Sequence, residues 1–350
     1  MPQRIEVGVL GATGMVGQQF VNQLRNHPWF ELTWLGASER SAGKTYAEAT
    51  NWVQDSTMPA EIAGRTVREA KPEPGAPKLM FSAMDASVAG EIEKAFARAG
   101  HVIVSNSKNH RMDPHTPLLV PEINPDHLGM LDAQRAAYGW EGAIVTNPNC
   151  STVALVMGLA PLKPFGIRKV NAVTLQAISG AGYPGLPSID IVANAIPYIG
   201  GEEDKVETEP LKILGSLRGG EIQPLEMTIS AQCNRVQVID GHMVCVSVEL
   251  EEKAGVEALK AAFREYSGAP QQMNLPTAPA QPVVYLEEPN RPQPRRDALA
   301  GGGMTVSVGR LRECPLLDYK FVCLGHNTIR GAAGAAVLNA ELMHAQGLLG

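Results

Sequence analysis

The chain has 350 residues, 44% hydrophobic and 19% charged, with a formal net charge of −6. That length is more than one ordinary core fills and implies two domains. The acidic balance excludes a generic nucleic-acid footprint, and no apolar run approaches the ~18–20 residues of a membrane span.

The first third has a βαβ rhythm. The N-terminus MPQRIEVGVLG runs directly into an apolar strand at Ile5–Leu10 and lacks the apolar stretch and cleavage site of a secretory leader. Gly11–Gly17 is a glycine-rich turn, and Val16, Phe20, Val21 and Leu24 recur at helical spacing until Pro28. Strands are expected at Leu32–Ala37, Leu79–Phe81, Val102–Val104 and Ile144–Thr146, with an amphipathic helix over Val88–Ala99 closed by Gly100. Such alternation implies a parallel sheet covered on both faces.

After residue 150 the texture changes. Val153–Leu159 reads as helix. Val170–Ile178, Glu226–Ala231, Val236–Ile239, His242–Leu250, Met304–Leu311 and Tyr319–Leu324 read as strands, which suggests an α+β unit on a largely antiparallel sheet. Residues 270–294 hold seven prolines and read as an irregular excursion. The stretch from Thr328 to Leu348 carries Ile329, Ala332, Ala333, Ala336, Val337 and Ala340 on one stripe, small enough to pack closely against the first domain. The expected fold is therefore α/β: a Rossmann-type parallel-sheet domain over 1–149, completed by a C-terminal helix over 326–350, and an α+β catalytic and dimerisation domain over 150–325.

GATGMVG at 11–17 follows a strand and precedes a helix. Glycines there permit a tight turn and let backbone N–H groups approach a pyrophosphate at the positive helix end, so Gly11, Thr13, Gly14, Met15 and Val16 are candidate dinucleotide contacts. The spacing is GxxGxxG rather than GxGxxG, and it is the strand–turn–helix context that strengthens it. The second strand ends in Ala37-Ser38-Glu39-Arg40-Ser41. Ser38, Arg40 and Ser41 suit a 2′-phosphate and favour NADP, while Glu39 keeps NAD open.

Five cysteines, at 150, 233, 245, 314 and 323, form neither a disulfide framework nor a zinc ribbon, and point to a reducing cytoplasm. Four lie in strand-like or loop contexts that suit packing. Cys150, in VTNPNCSTVALV, follows a polar turn and opens a helix, where the dipole and free N–H groups should lower its pKa. A reactive thiol beside a nicotinamide suggests acyl transfer to sulfur and reduction of the thioester, or the reverse with phosphate, served by a histidine as acid/base.

GATGMVG, SNSKNHRMDPHTPLLVPEIN, TNPNCST, LQAISGAGYPG, GEEDKVETE, NRVQVIDGH and GHNTIRGAAG, in this order from residue 5 to about 340, resemble aspartate-semialdehyde dehydrogenase. The pattern is closest to its archaeal and fungal branch. The resemblance implies reduction of aspartyl phosphate to aspartate semialdehyde and phosphate with NADPH, on the route to lysine, threonine and methionine, by a cytoplasmic homodimer or homotetramer. It further implies Cys150 as acylated nucleophile, Asn149 beside it in the oxyanion region, Gln176 orienting the substrate and His242 as acid/base. Glu202 and Arg235 would bind the amino and carboxylate groups, with Glu203 adjacent as the rival for Glu202. Arg111 and Lys205 would bind the phosphoryl group, and Ser179, Gly180 and Asn327 would touch the cofactor.

The residues also have readings of their own. Arg235 is a planar fork suited to a carboxylate. His242 opens an alternating strand whose apolar face could equally hold it as a core residue. Asp240-Gly241 is a type I′ hairpin signal. With a two-residue loop there, Ile239 would pair with His242 and Arg235 would share its face at about 13 Å, four residues of ~3.3 Å. Glu202-Glu203-Asp204-Lys205 could be an ordinary solvated helix start. His110 and His115 near Arg111 come with no ligand set for a metal, and neither nucleic acid nor membrane is expected as a partner. A malonyl-CoA or related acyl-CoA reductase, an N-acetylglutamyl-phosphate reductase and a non-catalytic NADP-binding redox sensor are the alternatives. The first would not need Arg111 and Lys205, and the last would not need Cys150, Gln176, Arg235 and His242 together.

Overall fold

In the computed structural model, which describes residues 4–349, the first third assembles a six-stranded sheet in which every pairing is parallel. Its strands are β1 (Ile5–Leu10), β2 (Phe30–Ala37), β3 (Arg68–Glu69), β4 (Leu79–Ser82), β5 (Val102–Ser105) and β6 (Ala143–Thr146). The spatial order is β3-β2-β1-β4-β5-β6. It reverses direction between β1 and β4, and in open parallel sheets a ligand crevice opens at such a point. Helix Met15–Leu24 packs Phe20, Val21 and Leu24 onto Val7, Val9 and Phe81. Helix Ala86–Arg98 is capped by Asp85, whose side chain accepts from the Ser87 N–H at 2.9 Å.

The second half forms a seven-stranded sheet in the order β13-β14-β15-β12-β7-β11-β8. These are β7 (Ile167–Gln176), β8 (Ala195–Ile196), β11 (Thr228–Val236), β12 (His242–Leu250), β13 (Val283–Leu286), β14 (Val306–Glu313) and β15 (Tyr319–Gly325), while β9 (Ser216–Arg218) and β10 (Glu221–Gln223) make a separate hairpin. Most of the large sheet is antiparallel, but β7–β11 and β13–β14 are parallel. Along β12 the burial alternates strictly, with Val244, Val246, Val248 and Leu250 on the core face. Helices Cys150–Leu159 and Val256–Glu265 cover that face.

Three expectations are corrected. Asp240-Gly241 does not join a hairpin: β7 lies between β11 and β12, parallel to one and antiparallel to the other. Residues 237–241 instead cross the end of β7, where the Ile178 and Ser179 N–H groups donate to the Val238 and Ile239 carbonyls at 2.8 and 3.2 Å. The strand expected at Val236–Ile239 is therefore only the last residue of β11 and the crossing that follows it. The 270–294 stretch is not wholly irregular, because Val283–Leu286 adds a parallel edge strand to β14.

The C-terminal segment forms a π-type turn over Ile329–Ala333 and then the helix Gly334–Ala345. That helix is buried on every side through Met343 rather than along one stripe, and its Val337, Leu338 and Leu342 join the core of β1 and helix Met15–Leu24.

Candidate functional site

Two helix N-termini carry candidate site residues, and they are prepared differently. Helix Met15–Leu24 starts at Gly14 with no side-chain cap, so its first N–H groups remain available to an anion. Gly11 has φ +74, and a Cβ there would sit 2.7 Å from the Ala83 carbonyl oxygen, so only glycine fits this turn. Beside it runs a groove at the β1/β4 reversal, lined by Gly11, Thr13, Gly14, Ser38, Glu39 and Asp85 among others. A bare helix start at a topological switch point fits a dinucleotide pyrophosphate. Met15, Val16, Arg40 and Ser41 lie next to this groove in sequence but do not line it, and Arg40 is exposed. Ser179, Gly180 and Asn327 lie over the second sheet instead, where the Asn327 amide donates to Ser179 Oγ at 2.7 Å.

The second N-terminus belongs to helix Cys150–Leu159, entered from β6 through Asn147-Pro148-Asn149. Its cap is Asn149, whose Oδ1 accepts from the Ser151 and Thr152 N–H groups at 2.9 and 3.3 Å. The amides expected to stabilise a thiolate are thus already taken. Cys150 keeps part of its surface open to the site but is enclosed by protein on the scale that governs ion solvation. Burial, then the Glu202 carboxylate, pushes its thiol up to about 12, with Arg111, Arg235 and Lys205 acting in the opposite sense. The expected fall in pKa is corrected: at this helix start burial and the Glu202 carboxylate raise it instead.

Glu202, at the start of helix Glu202–Ile213, is the hub of the site. The Asn149 amide donates to both its oxygens at 3.1 and 2.9 Å, Gln176 Nε2 donates to Oε2 at 3.1 Å, and Lys205 Nζ donates to Oε1 at 2.6 Å. Burial opposes the charge, but Lys205 and the amide donors outweigh it and hold the carboxyl below its usual range. Glu203 points elsewhere, accepting the Cys233 N–H of β11 at 3.1 Å.

Gln176 ends β7 and is the register partner of Arg235 on β11. Arg235 is buried, and its Nη1 donates to the Ala177 carbonyl at 2.6 Å. His242 opens β12 on the other flank of β7. A Cβ placed on Gly180 would lie 2.8 Å from Arg235 Nη1 and 3.0 Å from His242 Nε2, so both side chains close on this one glycine. His242 Nδ1 accepts the Ala177 N–H at 3.1 Å. Burial, helped by Arg235, drives its pKa down to about 3, so the ring is neutral.

Arg111, on the loop after β5, is buried, and its two terminal nitrogens donate to Glu209 Oε1 at 2.9 Å and to the Asn106 carbonyl at 2.7 Å. Glu209 was not anticipated from sequence. Its other oxygen accepts the Asn149 backbone N–H at 2.6 Å, linking the Arg111 loop to the turn before the thiol. Lys212, also unanticipated, donates to the Arg111, Asp113 and Thr116 carbonyls at 2.7, 2.7 and 2.8 Å and fixes that loop. The signal was in the spacing: positions 202, 205, 209 and 212 fall on one face of a helix. On the far side of the thiol, Arg330 forms a buried two-pronged pair with Glu122 at 2.7 and 2.6 Å. It anchors the turn whose Gly331 abuts Cys150 so closely that a Cβ would lie 2.7 Å from that of the cysteine. Among the described residues no group of three or more His, Cys, Asp or Glu side chains is arranged for a metal ion, and no helix is long and apolar enough to cross a membrane.

Comparison with known proteins agrees with this architecture. Residues 6–131 match the family model "Semialdehyde dehydrogenase, NAD binding domain", and residues 159–330 match "Semialdehyde dehydrogenase, dimerisation domain". The parallel sheet with its glycine turn and the mixed sheet beside a half-buried thiol are therefore those of a semialdehyde dehydrogenase. Among relatives, the aspartate-semialdehyde dehydrogenase of Archaeoglobus fulgidus is 49% identical over 340 residues, covering 97% of this chain and 98% of its own. That of Saccharomyces cerevisiae is 49% identical over 358 residues, covering 98% of each. The crystal structure of the Candida albicans enzyme with NADP superposes with a TM-score of 0.91 at 46% identity, covering 99% of this chain and 100% of that one. Aspartate semialdehyde dehydrogenase II of Vibrio cholerae, solved as a complex with ASA, has a TM-score of 0.76 at 25% identity, covering 98% of this chain and 99% of that one. The chain belongs to the aspartate-semialdehyde dehydrogenase family.

Proposed function

We propose that the protein catalyses the NADPH-dependent reductive dephosphorylation of L-aspartyl 4-phosphate to L-aspartate 4-semialdehyde through a thioester on Cys150, in the biosynthesis of lysine, threonine and methionine. The observation that carries this reading is the convergence of Asn149, Gln176 and Lys205 on one buried carboxylate beside the thiol. A substrate ammonium can exchange with Lys205 at Glu202, and Arg235 can receive the α-carboxylate through its free donors. Arg111, with Lys205 once released, addresses the phosphoryl group. Cys150 attacks the acyl carbon with Asn149 alongside, Gln176 orients the substrate, and His242 handles protons at the reacting oxygen. When bound, NADPH supplies the hydride that reduces the thioester. Gly11, Thr13, Gly14, Met15 and Val16 would hold its pyrophosphate, Ser38, Arg40 and Ser41 its 2′-phosphate, and Ser179, Gly180 and Asn327 would border its nicotinamide.

The working form in this reading is a cytoplasmic homodimer or homotetramer. The face of the seven-stranded sheet opposite its helices supports assembly, since Met243, Cys245 and Ser247 of β12 stay half-buried while Ser230 and Gln232 of β11 are exposed. The test is phosphate-dependent reduction of NADP with aspartate semialdehyde, run beside malonyl-CoA reduction by NADPH. Activity in the first assay and none in the second is the expected result; the reverse overturns the proposal.

A further inference from the structure

We infer that Lys212 is a positioning residue: its ammonium fills a three-carbonyl cation site against the Arg111 loop, and occupancy of that site sets the affinity for phosphate. The side chain is buried, and Nζ donates to the backbone carbonyls of Arg111, Asp113 and Thr116 at 2.7, 2.7 and 2.8 Å. An ammonium has three hydrogens and no acceptor, so these three carbonyls use all of its donors. A neutral amine would turn its lone pair on one of them. Burial pulls the pKa down to about 8, against Asp113 and Glu209, so the group is charged at pH 7. Among the described residues every hydrogen-bond partner of Nζ is a backbone carbonyl, a set of ligands that would equally hold a small free ammonium.

The inference rests on the assignment of Arg111 to the phosphoryl group and deepens it. The Arg111 guanidinium is held by Glu209 and the Asn106 carbonyl, but its backbone is held by Lys212. The Arg111 and Thr116 carbonyls have no other donor among the described residues. Lys212 and Glu209 lie one turn apart on helix Glu202–Ile213, whose first turn carries Glu202 and Lys205. One rigid element therefore fixes the phosphate arm relative to the amino-group site. Without the cation the loop carbonyls lose their donor, and the backbone that aims Arg111 is released while Glu202 and Arg235 stay in place.

The test uses two variants of the full chain. Lys212→Met keeps the apolar stem and removes the ammonium. In NADP reduction with aspartate semialdehyde, it should raise the phosphate KM by at least about ten-fold, the loss expected for a hydrogen-bonded charge. The aspartate semialdehyde KM and kcat should stay near wild type. A folded methionine variant with a wild-type phosphate KM, or one whose kcat falls as far as its phosphate KM rises, overturns the positioning role. Lys212→Ala vacates a slot the length of n-propylammonium. Added n-propylammonium should lower the phosphate KM of this variant by at least about five-fold and raise its urea midpoint. Tetramethylammonium at equal ionic strength has no N–H and should do neither. The methionine variant should not respond, because its own side chain fills the slot. No response of the alanine variant to n-propylammonium, or an equal response to tetramethylammonium, overturns the cation site. If the wild-type chain shows no phosphate-dependent turnover, the proposed function fails, and the urea midpoints alone then decide the cation site.

Discussion

Glu209 offers the sharpest perturbation of the site outside the groups assigned to substrate. Its carboxylate is 2% exposed and fully used, one oxygen on Arg111 and the other on the Asn149 N–H. Glu209→Gln keeps the volume but replaces one acceptor by an NH2 group, so one of those two donors must face another donor. A hydrogen bond to a charged group contributes ~1.5–3 kcal/mol, and a stranded buried partner adds to that. We expect a total loss of roughly 2–4 kcal/mol, divided between stability and function. If half of it falls on placing Arg111, the KM for phosphate in the oxidative direction rises about 5- to 30-fold, at 1.36 kcal/mol per decade. The KM for aspartate semialdehyde should change far less, because Glu202 and Arg235 are untouched. Initial rates of NADP reduction at varied phosphate, with urea unfolding of the same preparation, separate the two shares. Glu203→Gln is the control, since Glu203 binds the Cys233 N–H instead and should leave the phosphate KM alone. A folded Glu209→Gln enzyme with an unchanged phosphate KM would refute the reasoning.

Other outcomes follow from the same geometry. Cys150→Ala should abolish turnover while NADPH binding by fluorescence titration persists; retained turnover would remove the thiol from the mechanism. Arg40→Ala should weaken NADPH more than NADH, and equal losses would mean that this exposed arginine does not read the 2′-phosphate. Gly331→Ala puts a methyl group 2.7 Å from the Cys150 Cβ, so thiol labelling and kcat should both fall by at least about ten-fold, a cost of roughly 1–3 kcal/mol for overpacking. His242 binds a proton at about 3 in the fold and at roughly 6.5 in an unfolded chain. The unfolded state therefore holds more protons between those values, and stability falls as pH drops from about 6.5 towards 3. In urea titrations His242→Gln should lack this component, about 2 kcal/mol at pH 5; parallel curves for the two proteins would contradict it.

Local patterns in the chain marked the parallel sheet well. The strand at Ile5–Leu10, the glycine turn and the polar turn before Cys150 each follow from neighbours in sequence, and each forms as expected. What could not be read was pairing across distance. Asp240-Gly241 is a sound hairpin signal by itself, yet a strand from seventy residues earlier slips between its two arms. That insertion brings Arg235, Gln176 and His242 together from three neighbouring strands rather than two arms of one loop. The thiol shows the same limit. Asn149 beside Cys150 was visible, but nothing local says that its Oδ1 would take the helix amides while its amino group turns to Glu202. Glu209 and Lys212 were missed although they continue the face of Glu202 and Lys205, because charges along a helix are usually solvated and here are buried.

The position of the last helix bears on how the protein is made. Residues 334–343 lie within the core of the first sheet, against the helix that begins at Met15. While the chain is being synthesised from its N-terminus, that sheet emerges with one face uncovered, and its cover leaves the ribosome only after the whole second sheet has been made. Apolar surface left open in this way invites association between nascent chains. A transcript truncated before residue 334 should therefore yield an aggregating product rather than a smaller working domain. The first sheet's core is thus closed by a segment made after every strand of the second sheet.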